Sequence, residues 1–315
     1  MSVAPVPPAP CPSPWLDSFL AQASRLLRPL IERGVPRWLT RLDVTEHEVS
    51  VPGLPPAAEG LRLALLSDLH VGPLLSHEAV RRAVAVTNAA SPDVVILGGD
   101  YIEHCQPSLA RQALRLLARL KPRHGLYATL GNHDYRHNLG LVREELERIG
   151  ARLLVNDAAR LTEGLWLAGL DDLMEGTPDL QRLVAALPGD ESVVLMSHNP
   201  SVLPHVRQLP WLVLAGHTHG CQFCLPTLDG NRSMRVPGIA RAFYAAEWLG
   251  HPPRRRPRES ICAFRYPSGW YQDGLARMYV TRGVGFNQTL PLRVNCPSEI
   301  ACLTLRQAAP QPSQP

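Results

Sequence analysis

Two short phrases in this chain pair an acid or an imidazole with a second imidazole two residues on: Asp68-Leu69-His70 and His217-Thr218-His219. Between them lie Gly99-Asp100, Gly131-Asn132-His133-Asp134 and Ser197-His198-Asn199. In an extended segment, residues i and i+2 face the same side, so both side chains of each pair can reach one point. The glycines before Asp100, Asn132 and His217 allow sharp turns that bring the next side chain close. Carboxylate, amide oxygen and imidazole without thiolate suit manganese, iron, zinc or nickel rather than a structural zinc cage. Asp68, His70, Asp100, Asn132, His198, His217 and His219 suffice for two ions that share one carboxylate. A single Asp-x-His would be weak evidence, since a histidine after a strand is commonly a core residue. Blocks of this kind recurring along one chain are not explained that way.

The surrounding text predicts what positions them. Apolar, β-rich runs at Leu61–Leu66, Val94–Leu97, Leu126–Leu130, Trp166–Leu170, Val193–Met196 and Leu212–Ala215 alternate with helical spacing over Ser76–Asn88, Ser108–Leu120, Gly140–Ile149, Pro178–Ala186 and Ser201–Gln208. Late strands are expected at Arg277–Thr281 and Glu299–Leu305. That alternation predicts an α/β protein layered around a buried sheet. Each chemical block follows directly on a strand, and the carboxyl ends of strands in such sheets form the crevice where ligands bind.

With 315 residues, 45% hydrophobic and 19% charged, the composition is that of an ordinary globular chain. The net charge of +4 is carried almost wholly by arginine, Lys121 being the single lysine. No long basic run points to dedicated nucleic-acid binding. Seven cysteines at irregular spacing do not read as a disulfide framework, which predicts a reducing, cytoplasmic location. Cys221-Gln222-Phe223-Cys224 has no second pair to complete a zinc site. Residues 1–14 hold six prolines and read as an extended lead. Trp15 to Arg33 shows helical amphipathic spacing, interrupted by Pro29. Within 15–40 this segment either docks on its own domain or rests peripherally on the inner face of a membrane. Residues 41–307 form the main domain, 308–315 a tail, and the Arg/Pro-rich stretch 236–274 reads as a surface excursion near the site.

The blocks resemble the calcineurin-like metallophosphoesterase superfamily, whose pattern is Asp-x-His, Gly-Asp, Gly-Asn-His, His and Gly-His-x-His, in that order. Gly216-His217-Thr218-His219-Gly220 and the closing phrase Pro291 to Ile300 extend the likeness to a bacterial, membrane-associated branch of phosphodiesterases. The resemblance implies a β-sandwich of two mixed sheets flanked by helices. It implies that Asp68, His70 and His219 hold one metal, that Asp100 bridges, and that Asn132, His198 and His217 hold the other. The two divalent ions would be manganese first, with zinc, iron or magnesium as alternatives. His133 would contact the scissile phosphate or protonate the leaving oxygen, and Asp134 would orient His133. Arg282 and Arg293 are weaker candidates for phosphate contact. Cys221 stands where the branch has glycine.

The activity so implied is hydrolysis of a phosphodiester or pyrophosphate bond by a hydroxide shared between two ions. Phosphoprotein phosphatases of the superfamily carry Gly-Asp-x-x-Asp-Arg-Gly and Gly-Asn-His-Glu; Gly99-Asp100-Tyr101-Ile102-Glu103 and Gly131-Asn132-His133-Asp134 differ from both. A UDP-2,3-diacylglucosamine pyrophosphohydrolase of lipid A synthesis, acting on a lipid-linked substrate, is one alternative. A catalytically silent scaffold of the same fold is another, disfavoured because every ligand position is filled.

Overall fold

The structure, a computed structural model, describes residues 41–72, 75, 77–103, 106–222, 224–226, 233–235, 265–286 and 293–308. The proline-rich lead, the segment 15–40, residues 236–264 and nearly all of the tail lie outside the described residues.

Two six-stranded mixed sheets pack face to face. The first has the order β1-β14-β2-β3-β4-β5, where β1 is Leu42–Val51, β2 Arg62–Leu66, β3 Val94–Leu97, β4 Gly125–Ala128, β5 Arg152–Leu153 and β14 Ser298–Gln307. The second runs β12-β13-β9-β8-β7-β6, with β6 at Asp157–Thr162, β7 Leu165–Gly169, β8 Ser192–Met196, β9 Leu212–Ala215, β12 Gly269–Asp273 and β13 Ala276–Val280. A separate hairpin joins β10, Cys224–Pro226, to β11, Ser233–Arg235. Strands β2 to β5 are parallel, as are β7, β8, β9 and β13; antiparallel pairs sit at β14/β2, β6/β7 and β12/β13.

The parallel strands are apolar along their whole length because both their faces are covered. Leu63, Leu65, Ile96, Val194, Leu214 and Leu303 fill the space between the sheets. The outer face of the first sheet, through Ala64, Leu66, Val95 and Leu97, packs on α1 (His77–Ala89), α2 (Pro107–Leu116) and α3 (Leu139–Arg148). The outer face of the second packs on α4 (Leu180–Ala186) and a 3-10 turn at Pro200–His205. The result is helix, sheet, sheet, helix, the β-sandwich that the motifs imply. Ile96 is fully buried at the centre. Ile96→Ala is expected to destabilise the fold by ~2–5 kcal/mol through lost burial and the cavity left behind, read as a lower urea midpoint.

Sequence and structure differ in places. Residues Ser201–Gln208, expected as α-helix, form the shorter 3-10 turn at Pro200–His205, which holds Pro204. Strands β1, β5, β6, β10, β11 and β12 fall outside the runs expected as strands. The end of the expected excursion belongs to the second sheet: Gly269–Asp273 is the edge strand β12, paired with β13. Among the described residues, no helix is long and apolar enough to cross a membrane.

Candidate metal centre

In the first sheet, β2, β3 and β4 run parallel, so the segments after them, residues 67–70, 98–100 and 131–134, emerge at one edge. In the second sheet β8 and β9 deliver 197–199 and 216–219. His198 Nδ1 lies 2.8 Å from the Gly98 carbonyl, which joins the two sheets at the site. The loops after β2 and β3 are zipped by backbone bonds, His70 N–H to Asp100 O and Val71 N–H to Tyr101 O.

The motif residues are not extended, as the alternation argument supposes. Asp68, His70, Asp100, His217 and His219 all have positive φ, between 45° and 72°. For residues with a Cβ such backbones cost of order 1–3 kcal/mol each and persist where the surroundings dictate them. Here they fold the chain back after each strand so that successive side chains converge. Gly131 is required because a Cβ there would collide with the Asp100 carboxylate. That close approach lets His133 N–H donate to Asp100 Oδ1 at 2.9 Å. His217 N–H donates in the same way to Asp68 Oδ1, also at 2.9 Å. Cys221 has φ +64°, a conformation that favours glycine, in keeping with the residue the resemblance expects there.

Six of the seven expected ligands come together, and all seven, Asn132 included, are buried. One ligand atom from each of Asp68, His70 and His219 lies within 4.8 Å of the others, and the same holds for Asp100, His198 and His217. Asp100 Oδ2 joins the groups: it stands 3.5 Å from His70 Nε2 and 3.0 Å from His198 Nε2. Asp68 Oδ2, Asn132 Oδ1 and His219 Nε2 are buried without a hydrogen-bond partner. Buried polar atoms of this kind need an explanation. Oxygen and imidazole donors converging in a pocket without thiolate fit a divalent cation.

The electrostatics agree with that use. Burial holds His217 and His219 well below the ordinary imidazole value, leaving them neutral and able to donate a lone pair. Burial alone would raise Asp100, but the charges of His198, His133 and His70 hold it well below the carboxylate range. Burial pulls His198 down, yet the neighbouring Asp100 carboxylate outweighs it and lifts the imidazole to about 10. Asp68 is raised, mainly by burial.

One expectation is corrected. Asp134 does not orient His133: its carboxylate accepts from the backbone N–H groups of Gly131, Asp100 and Tyr101, at 2.9, 3.0 and 2.8 Å. It clamps the turns after β3 and β4, and burial raises it to about 7. Both arginine candidates meet groups of the protein itself. Buried Arg293 donates to the carbonyls of Gly285 and Arg282, while Arg282 sits 3.4 Å from Glu299 and 3.6 Å from Asp43.

The acid that stands beside His133 is Glu103, which the motifs do not include. Its Oε2 lies 2.6 Å from His70 Nδ1 and 3.1 Å from His133 Nδ1, and its Oε1 lies 3.5 Å from His137 Nε2. Buried as it is, Glu103 stays well below the usual carboxylate value because the charge of His133 and the close approach of the three imidazoles stabilise its own. The signal available was an acid three residues beyond Asp100. A loop at 171–176 flanks the other side of the site. Asp172, buried and raised to about 6 chiefly by desolvation, feels the charges of His198 and Asp100.

Comparison with known proteins adds the family. Residues 61–221 match the model for calcineurin-like phosphoesterases. A transmembrane protein with a metallophosphoesterase domain from Danio rerio is 30% identical over 287 residues, which cover 84% of this chain and 57% of that protein. An uncharacterised metallophosphoesterase of Bacillus subtilis is 28% identical, covering 84% of this chain and 86% of that one. Among solved structures, the sulfate thiohydrolase SoxB of a Thermus species, in complex with glycerol, aligns over 80% of this chain and 57% of that one at 14% identity and a TM-score of 0.43.

Proposed function

The chain belongs to the calcineurin-like phosphoesterase family, and from that premise we propose that it hydrolyses a phosphodiester or pyrophosphate bond using two divalent cations that share Asp100. One observation carries this reading: a single carboxylate oxygen, Asp100 Oδ2, faces both His70 and His198, at 3.5 and 3.0 Å. Asp68, His70 and His219 would complete one cation's shell, and Asn132, His198 and His217 the other's, with manganese the first choice of metal. Cations bound there supply Lewis acidity to the phosphoryl oxygens and lower the pKa of water.

The chain's own residues do the rest. His133 binds no cation in this reading. Glu103, at its Nδ1, fixes the ring, so that Nε2 serves the phosphoryl group or the departing oxygen. Glu103 also steadies His70 from behind, the carboxylate–histidine arrangement common around metal ligands. Glu103→Gln keeps the shape but weakens both contacts, and kcat is expected to fall about 10- to 100-fold. An unchanged kcat would remove Glu103 from the account.

A diester or pyrophosphate is favoured over phosphoproteins by Tyr101-Ile102-Glu103 and His133-Asp134, which depart from the phosphoprotein phosphatase signature. A second reading, a lipid-linked UDP-diacylglucosamine met at a membrane surface, is supported by the amphipathic spacing in the sequence of residues 15–33 and the word transmembrane in the Danio rerio relative's name. The test is a panel of bis(4-nitrophenyl) phosphate, 4-nitrophenyl phosphate and UDP-diacylglucosamine, each with manganese, zinc, iron and magnesium. Metal-dependent turnover of a diester or pyrophosphate well above the monoester is expected. A metal-loaded protein inert on all of them would favour the silent scaffold.

A further inference from the structure

Arg293 is buried, 4% exposed, and its guanidinium meets backbone carbonyls from three separate segments. Nε donates to Gly285 O at 2.9 Å, a carbonyl that Nη2 shares. Nη2 also donates to Arg282 O at 2.7 Å and lies 3.4 Å from Gly283 O. Nη1 reaches His219 O at 3.3 Å and Cys296 O at 3.4 Å. Nη2 stands 3.5 Å from Nδ1 of the His219 ring itself. Five N–H donors in one rigid plane can meet so many carbonyls at once, and arginine is the side chain that has them. Burial lowers the guanidinium from its usual value, and Cys296 and Asp68 work against that shift. An apolar side chain would avoid the cost of burying a charge but would leave the carbonyls unmet.

Two of these segments bear on metal ligands. Residues 282–285, just after β13, form a strap that lies on Asp68. Val284 N–H donates to Ser67 O at 2.9 Å and Gly285 N–H to Asp68 O at 2.7 Å. The packing is close: a Cβ on Gly283 would stand 2.7 Å from Asp68 Cβ, and one on Gly285 would strike Leu69 O. Glu299 holds the strap's near end, accepting from Arg282 N–H at 2.8 Å and donating its own N–H to Gly283 O at 2.9 Å. Arg293 therefore ties the peptide of His219 to the strap on Asp68. The two ligands come from different sheets, after β9 and β2, and both have positive φ, 51° and 57°. Backbones of that kind persist only where their surroundings hold them.

We propose that Arg293 is the positioning residue for the cation held by Asp68, His70 and His219, setting the separation of Asp68 and His219 by gripping both their loops. The inference rests on the proposed two-cation centre and gives its halves unequal support. The cation at Asn132, His198 and His217 does not depend on this grip. Arg293 acts through the two loops and takes no part in bond breaking.

The test uses full-length proteins that retain one cation site each. His217→Ala leaves the Asp68 site and Asp68→Asn leaves the other. Manganese binding to both is measured by calorimetry, with and without Arg293→Lys, which keeps the charge but not the planar set of donors. In the His217→Ala protein, Arg293→Lys should weaken binding by about 10- to 100-fold, the usual cost of losing a partner behind a metal ligand. In the Asp68→Asn protein it should change binding by less than about 3-fold. A role in stability alone would lower the urea midpoint and leave both affinities unchanged or equally reduced; either result would overturn the proposal. Glu299→Gln keeps its shape but loosens the hold on Arg282 N–H, and should weaken the Asp68 site alone by about 3- to 10-fold. It decides the matter by the same comparison if Arg293→Lys does not fold. If the wild type binds no manganese, the two-cation reading itself fails. In that case, or if the single-site proteins bind none, amide exchange decides. The N–H groups of Gly285 and His217, both bonded to Asp68, should exchange at least about 10-fold faster in Arg293→Lys while those of β3 keep their rates. Unchanged exchange at both would overturn the role given to Arg293.

Discussion

Replacing Asp100 with asparagine should cost at least about a thousandfold in kcat/KM, equivalent to ~4 kcal/mol of transition-state stabilisation, and leave less than one metal ion per chain. Asparagine keeps the side chain's volume, and its amide oxygen can still accept from His133 N–H, the bond now made at 2.9 Å. The fold should therefore survive. What changes is the other atom. Where Oδ2 now stands 3.5 Å from His70 Nε2 and 3.0 Å from His198 Nε2, the variant places an uncharged NH2 that cannot ligate a cation. Both cations would lose a ligand and a full negative charge at once, whereas a change at Asp68 or His217 touches only one. Metal analysis beside circular dichroism and kinetics checks this. Full metal content with near-normal rate in Asp100→Asn would show that Asp100 does not bridge.

The second large effect is expected at His133. His133→Ala should lower kcat by about 10²- to 10⁴-fold, the usual worth of a positioned acid or hydrogen-bond donor, with metal content unchanged. The reason is geometric. Its Nδ1 lies 3.1 Å from Glu103 Oε2, and its ring stands edge-on to His70 at 4.7 Å, so its removal leaves the seven expected ligands in place. Retention of a normal rate on activated aryl esters, whose leaving oxygen needs no proton, would assign His133 to leaving-group protonation. An equal loss on all substrates would assign it to phosphoryl contact. Loss of the metals themselves would contradict its role.

Much of the fold is legible in the sequence because the parallel strands are covered on both faces and are apolar throughout, as Val94–Leu97 and Leu212–Ala215 illustrate. β1 is not so transparent. Its inward residues include Thr45 and His47 beside Val49 and Val51, and these polar groups bond to Glu299 and Tyr279 across the edge of the sandwich. Half the inward face is therefore polar, and the period-2 signal fades. β6 carries two alanines and a register shift at Arg160/Thr162, which weakens its pattern in the same way.

The ligands could be read because each follows a strand end and the residue types belong to one chemistry. The supporting residues could not. Adjacency misled at Asp134: neighbours on a helix do not face each other, and the residue beside His133 points to the backbone of another loop. Glu103 reaches the histidines only because Val71 and Ile102 pair between the loops after β2 and β3.

The most direct test is anomalous X-ray scattering from crystals of the manganese-loaded protein. Two peaks are predicted, one enclosed by Asp68, His70 and His219 and the other by Asn132, His198 and His217, with an oxygen of Asp100 between them. A single peak, or two peaks that leave Asp100 bound to one ion alone, would contradict the shared-carboxylate centre.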